Sequence, residues 1–392
     1  IEGEGTTLTT RYNSTSSSNG TSFSTNMLML NGAKLWAKSA ISSGYNTATL
    51  KYGSTSLTAG GQAFIVDCAA GGAIASAATP NKVTITINEN GSAASTKGYS
   101  VSLSTSSSSD TATFSGTTNG STISFESGTN ALVSGTTYYI WSGKSSNDKT
   151  TRMYSGVSVK GAANTTQAAT INYYGLTLAK ETGISAVSNG GISTTSEVQY
   201  LYNGSSPQTI AIDATVLENY GWSTWTKTSG TNLTTFTAAT KSQNVKMGAG
   251  AATLTASAIY TSTISITRTD YDTFTYSAAG AKAYYVSTSA TAPAAGSSAA
   301  SSTFALNKWT TATSTGNLTL TEGTYYVYVK DATTGGNVSS NNASIAAYTI
   351  SRSQGTGTSL TTRYDGTSSS TGTSFTSSMV MLAGTSVWAS AT

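Results

Sequence analysis

The chain has 392 residues, a formal net charge of +4 and no histidine, room for two to four domains of the usual roughly 100–200 residues. Charged residues make up 9% of it, against about 25% in ordinary soluble proteins; the 22 Tyr and 6 Trp nevertheless argue against disorder, which goes with few aromatics and high net charge. Without histidine a Ser-His-Asp triad and a His-bearing metal cluster are excluded, the scattered Lys and Arg do not suggest nucleic-acid binding, and no stretch approaches the roughly 18 apolar residues of a membrane span.

Ser, Thr, Gly and Ala replace the missing charge, and Thr and Tyr favour strands because their bulk near Cβ suits a pleated surface. The composition predicts an all-β protein. Residues 1–78 form a first β-rich module: Met27-Leu-Met-Leu30 is a short apolar run suited to a buried strand, the Ser/Thr/Asn tract 13–22 a loop or edge, and 45–52 and 63–67 are strands bounded by glycine turns. From 79 to 161 the pattern sharpens. Val83, Ile85 and Ile87 share one face of an alternating strand, Asn90-Gly91 is a hairpin turn, and runs at 99–103, 111–114, 122–125 and 136–141 complete a set of short strands spaced as in a β-sandwich.

The far end of the chain repeats the near end. Leu8-Thr-Thr-Arg11-Tyr12, Ser16–Ser18, Gly20, Phe23, Met27, Leu30, Gly32 and Trp36-Ala37 return as Leu360-Thr-Thr-Arg363-Tyr364, Ser368–Ser370, Gly372, Phe375, Met379, Leu382, Gly384 and Trp388-Ala389. Leu360 less Leu8 leaves 352 positions, and every pair keeps that offset without a gap. Residues 355–392 are thus a copy of 3–40 and the start of a next repeat, which predicts a tandem array of 352-residue units.

Between the copies lie two further modules. Residues 171–258 carry Ile184-Ser-Ala-Val187, Thr209-Ile-Ala-Ile-Asp-Ala-Thr215, Tyr220-Gly-Trp222-Ser-Thr-Trp225 and Ala252-Thr-Leu-Thr-Ala256. This resembles a divergent internalin-type B-repeat, with Trp222 where Phe is usual and 190–208 slightly expanded; the resemblance implies a small β-grasp-like module of bacterial surface proteins. Residues 259–350 carry Ala283-Tyr-Tyr-Val286, Pro293, Trp309 as a core plug, and Gly323-Thr-Tyr-Tyr-Val-Tyr-Val-Lys-Asp331. These resemble a bacterial immunoglobulin-like domain and imply a second Ig-like β-sandwich.

No catalytic, cofactor-binding or metal site emerges, and no cofactor is expected. Asp67, Asp110, Asp148, Asp213 and Asp331 are scattered, and the nearest pair of aspartates, Asp270 and Asp272, would share a face only if that segment were a strand. Oxygen ligands there would suit calcium; a solvated turn is the plainer reading. Gly248-Ala-Gly250 and Gly335-Gly336 lack the following Lys-Ser/Thr of a phosphate cradle. The lone Cys68 is a small buried hydrophobe, Trp222 and Trp225 pack a core or stack on a sugar, and the paired tyrosines at 138–139, 284–285 and 325–328 leave alternate rings facing outward. Surface Ig-like domains sometimes hold a Lys–Asn isopeptide cross-link beside a buried acid; Lys82, Glu89, Glu126 and Asn147 are the available groups, and no spacing selects among them.

The expected function is that of a non-enzymatic extracellular structural repeat on a bacterial surface: a stalk, fibre or filament whose partners are copies of itself, joined in tandem or head to tail. An adhesin using exposed aromatics on host or glycan ligands is the alternative, and a phage fibre a further one.

Overall fold

The computed structural model describes residues 1–392 apart from 68–71, 96–97, 127–131, 134, 145–151, 162–166, 230–232, 317 and the Asn46 side chain. The described elements are β-strands, with no helix among them. Cys68, Asn147 and Asp148 lie outside the described residues.

Apolar side chains gather into four cores. In the first, an antiparallel sheet of Thr21–Ser22, Thr6–Tyr12, Lys34–Ile41 and Gln62–Ile65 is paired with a second of Thr55–Leu57, Tyr45–Tyr52 and Ile74–Pro80. Leu35, Ala37, Leu50, Tyr52 and Ile74 are buried between them. In the second, Ala112–Thr117, Tyr99–Ser104, Thr137–Lys144 and Met153–Lys160 form the sheet that lies opposite Lys82–Glu89 and Thr122–Glu126. Val83, Ile85 and Ile87 are buried in alternation, as their period-two spacing requires. Asn90 and Gly91 make the expected two-residue turn with φ of 51° and 84°. It returns only Ser92–Ala93 beside the same strand, while Tyr99–Ser104 crosses to the other sheet.

One strand of 14 residues, Gln167–Lys180, links the second core to the third. Its first half runs parallel to Lys82–Glu89, placing Ile171 beside Ile87. Its second half runs parallel to Ala252–Tyr260, with Leu178 beside Leu254. Ile171 and Tyr173 are buried in the second core, Leu176 and Leu178 in the third. Facing that second half is a sheet of Ile192–Ser193, Ile184–Asn189, Thr209–Val216, Gln243–Met247 and Leu233–Thr234. The fourth core lies between the hairpin Ile264–Arg268/Phe274–Ala278 and a five-stranded sheet of Trp309–Thr310, Ala283–Ser287, Gly323–Lys330, Ala343–Ile350 and Met379–Leu382.

The remaining junctions are equally short. Asn81 alone separates strands Ile74–Pro80 and Lys82–Glu89; its N–H donates to Gly44 O at 2.8 Å and its Nδ2 to Leu132 O at 2.6 Å, tying the first core to the second. Between the third and fourth cores, Thr261 N donates to Asn219 O at 2.9 Å, Ser340 N to Tyr260 O at 3.1 Å, and the Tyr220 hydroxyl to Asp331.

Candidate functional site

Among the described residues, the side chains that sequence marked for chemistry do not converge. Asp270 and Asp272 sit in the hairpin loop after Arg268 rather than on a strand; Asp270 accepts from the Tyr271 N–H at 2.7 Å and Asp272 from the Thr273 hydroxyl at 2.9 Å, so each closes the turn. Asp110 pairs with Arg152 at 2.6 Å, and Asp331 accepts from Tyr220 and from the Asn337 N–H at 2.7 Å. Burial pushes the Asp213 carboxyl up, but hydrogen bonds from Ser242, the Ala214 N–H and Lys241 leave it below the usual carboxylate range. Among the described residues no three His, Cys, Asp or Glu side chains group together.

Among the described residues, the cross-link candidates form no buried Lys–acid pair. Lys82 pairs with Glu126 at 2.6 Å on open surface, where neither group is buried. Glu89 instead takes the Tyr99 hydroxyl and Lys144 Nζ, the latter at 3.1 Å. Among the described residues, the fully buried lysine is Lys330. Its Nζ lies over the Trp309 ring, 4.8 Å from the centroid, and donates to Ala295 O at 2.9 Å. Burial pulls its pKa below the ordinary lysine value.

The aromatics divide. Trp225 is buried in the third core with Trp222 packed edge-on at 5.5 Å, which assigns the pair to packing. Trp309, expected as a core plug, instead lies half-buried against Tyr285 and Lys330, because its strand is only the two residues Trp309–Thr310 at the sheet edge. Tyr139, Trp141 and Tyr154 form a half-buried cluster on the four-stranded sheet of the second core, with centroids 5.7 and 5.9 Å apart.

What the fold does bring together is the repeated motif and the sheet before it. The two copies adopt one local structure. Leu8 pairs with Ser39 and Leu360 with Ala391; Arg11 pairs with Trp36 and Arg363 with Trp388. Thr10 and Thr362 donate their hydroxyls to Phe23 O and Phe375 O, and Arg11 and Arg363 donate to Gly20 O and Gly372 O at 3.1 and 2.8 Å. Where the sequences differ, the job is kept: Asn19 Oδ1 accepts from the N–H groups of Thr15 and Ser16, and Thr371 Oγ1 from those of Thr367 and Ser368.

The copies part company at the apolar run. Met379–Leu382 is a strand, antiparallel to Ala343–Ile350 at the edge of the fourth sandwich, with Leu382 opposite Ala347 and Met381 opposite Tyr348. Leu382 N donates to Tyr271 O and Ala383 N to Ala346 O, both at 2.8 Å. Arg268 pairs with Asp365 at 3.1 Å, and the Tyr271 and Tyr364 rings lie 4.6 Å apart. Met381 and Leu382 are 2% and 1% exposed. In the first copy the same run, Met27–Leu30, forms no strand, and Leu28 and Leu30 are 104% and 85% exposed. The buried strand expected from apolarity is absent there because no sheet edge lies beside it. Conversely, Leu35 and Ala37 are buried by a facing sheet, while their counterparts Val387 and Ala389 are exposed.

No known protein family matches the chain, and no curated protein is similar to it. Among solved structures, the Bacillus anthracis TIE protein aligns over 87% of this chain and 65% of its own, at 10% identity and a TM-score of 0.18. The chain thus spans under two thirds of that structure, and a score so low carries no statement about fold or function.

Proposed function

We propose that this protein is a non-enzymatic extracellular structural repeat of a bacterial surface, forming a stalk or fibre from tandem 352-residue units. The observation that carries the reading is the seam: the second copy of the motif extends the sheet of the sandwich before it. Each copy displays half of what a unit inside an array would have, the first its own closed sandwich, the second its contact with the preceding one. The short junctions support a mechanical role, since a strand shared by two cores and a single-residue junction give little freedom to bend. A surface poor in long charged side chains suits close packing, because few ions must be desolvated.

Electron microscopy of native material, with the mass of the intact chain, tests this. A regular fibre whose axial period corresponds to one unit is expected; flexible strings of beads would overturn the fibre reading. The adhesin alternative draws on the Tyr139, Trp141 and Tyr154 cluster. It requires glycan binding that is lost in Trp141→Ala.

A further inference from the structure

We infer that Met27–Leu30 is a docking strand, and that its partner is the Ala343–Ile350 sheet edge of a second copy of this unit. The inference rests on the repeat reading and names the contact by which one unit holds the next. Its ground is internal: the run 352 positions later, alike in three of four residues, occupies that edge. Transferring its register puts Leu30 opposite Ala347, Met29 opposite Tyr348, Leu28 opposite Thr349 and Met27 opposite Ile350.

Both sides gain. The incoming strand removes Leu30 from water as Leu382 is removed, and the edge loses the row of open N–H and C=O groups that makes a bare strand a template for indiscriminate pairing. The anchors transfer as well. Tyr12 would meet Tyr271 as Tyr364 does, and Asn13, whose φ of 47° matches the 48° of Asp365, would approach Arg268. With Asn for Asp, that contact keeps a hydrogen-bond acceptor and loses its charge. The contact is heterologous, one surface meeting a different one, so it propagates rather than closing a dimer.

In the 392-residue chain the edge is filled by the chain's own Met379–Leu382, and the free chain is expected to be monomeric. The test opens that edge with Val380→Pro, Met381→Asp and Leu382→Asp together, following mass by sedimentation and the Ala347–Ile350 amides by hydrogen exchange. The opened chain is expected to associate with rising concentration, its mean mass at least doubling, and adding Leu30→Asp is expected to restore the monomer. Association that survives Leu30→Asp would be unspecific stickiness and would overturn the proposal. So would a monomer with freely exchanging edge amides, since the edge then has no taker. So would a monomer whose edge amides stay protected, since Met379–Leu382 would not be what covers them. Asn13→Asp in the opened chain, with Asp365→Asn to release Arg268, is expected to tighten association severalfold at low salt and little at high salt. Failure here with a regular native fibre would leave the structural reading standing on another contact; association here without a native fibre would do the reverse.

Discussion

At the scale of single residues, the two copies form a natural mutational pair: one residue type, one local fold, two environments. Leu30 is in water and Leu382 is covered by the fourth sandwich. Leu30→Asp is therefore expected to change stability by no more than about 0.5 kcal/mol, as surface substitutions do. Leu382→Asp forces an unpaired carboxylate between Ala347 and the hairpin and should cost about 3 kcal/mol or more in the transition of the fourth core. Urea unfolding of the two variants side by side checks the contrast. A glycine repeats the lesson within the loop. Gly20 and Gly372 both have a φ of 72°, and a Cβ would lie 2.4 Å from Tyr12 O in one and 2.3 Å from Tyr364 O in the other. Alanine at either position should destabilise its module by more than about 1 kcal/mol, because left-handed backbone and collision with main chain act together.

At the scale of elements, strand Gln167–Lys180 decides how the middle of the molecule responds to stress. Ile171→Ala should cost the second core about 2–5 kcal/mol, and Leu178→Ala the third core a similar amount, each by leaving a cavity. Asn172→Pro should weaken both. Proline is excluded from the interior of a strand bonded on both sides, and the change removes the contact of the Asn172 carboxamide with Asn88 at 3.3 Å. Hydrogen exchange reads the difference. The alanine variants are expected to lose protection around one core, the proline variant around both. If the proline variant left the third core untouched, the shared strand would not couple the two.

At the scale of the whole molecule, the titratable inventory predicts an unusual stability profile. With no histidine, no side chain of ordinary pKa changes charge between about pH 5 and 8. Tyrosine dominates the alkaline side. Burial pushes Tyr173, Tyr200 and Tyr276 above the ordinary value, so the folded chain holds those protons more tightly than the unfolded one. That contribution is complete below the unfolded tyrosine pKa of about 10 and is lost as pH rises through the folded values. Lys330 acts in the opposite sense. Its lowered folded pKa makes it a cost at neutral pH that eases as pH climbs toward the free lysine value near 10.4. Melting temperature should therefore be nearly level from pH 5 to 8 and fall above about pH 10, together with tyrosinate absorbance. A fall near pH 6 would contradict it.

Much of this architecture is legible along the chain. Period-two alternation places Val83, Ile85 and Ile87 inward because successive side chains point to opposite faces; on Gly323–Lys330 the same rule puts Tyr325, Val327 and Val329 on one face, but Tyr328 and Lys330 on the other are buried too. Asn90-Gly91 forms its turn because those residues tolerate positive φ. The repeat is legible from the unbroken 352-residue offset alone, and both copies fold alike because their turns and hydroxyl bonds are local. What lies beyond local physics is partnership. Nothing in residues 167–180 announces that one strand will serve two cores, since its two halves pair with strands 84 residues before and 76 residues after them. Nor does the Met-x-Met-Leu run decide for itself between strand and solvent. Its apolar side chains favour burial in both copies, but a lone strand has no hydrogen-bond partner, and only the tertiary structure supplies an edge to one copy and not to the other.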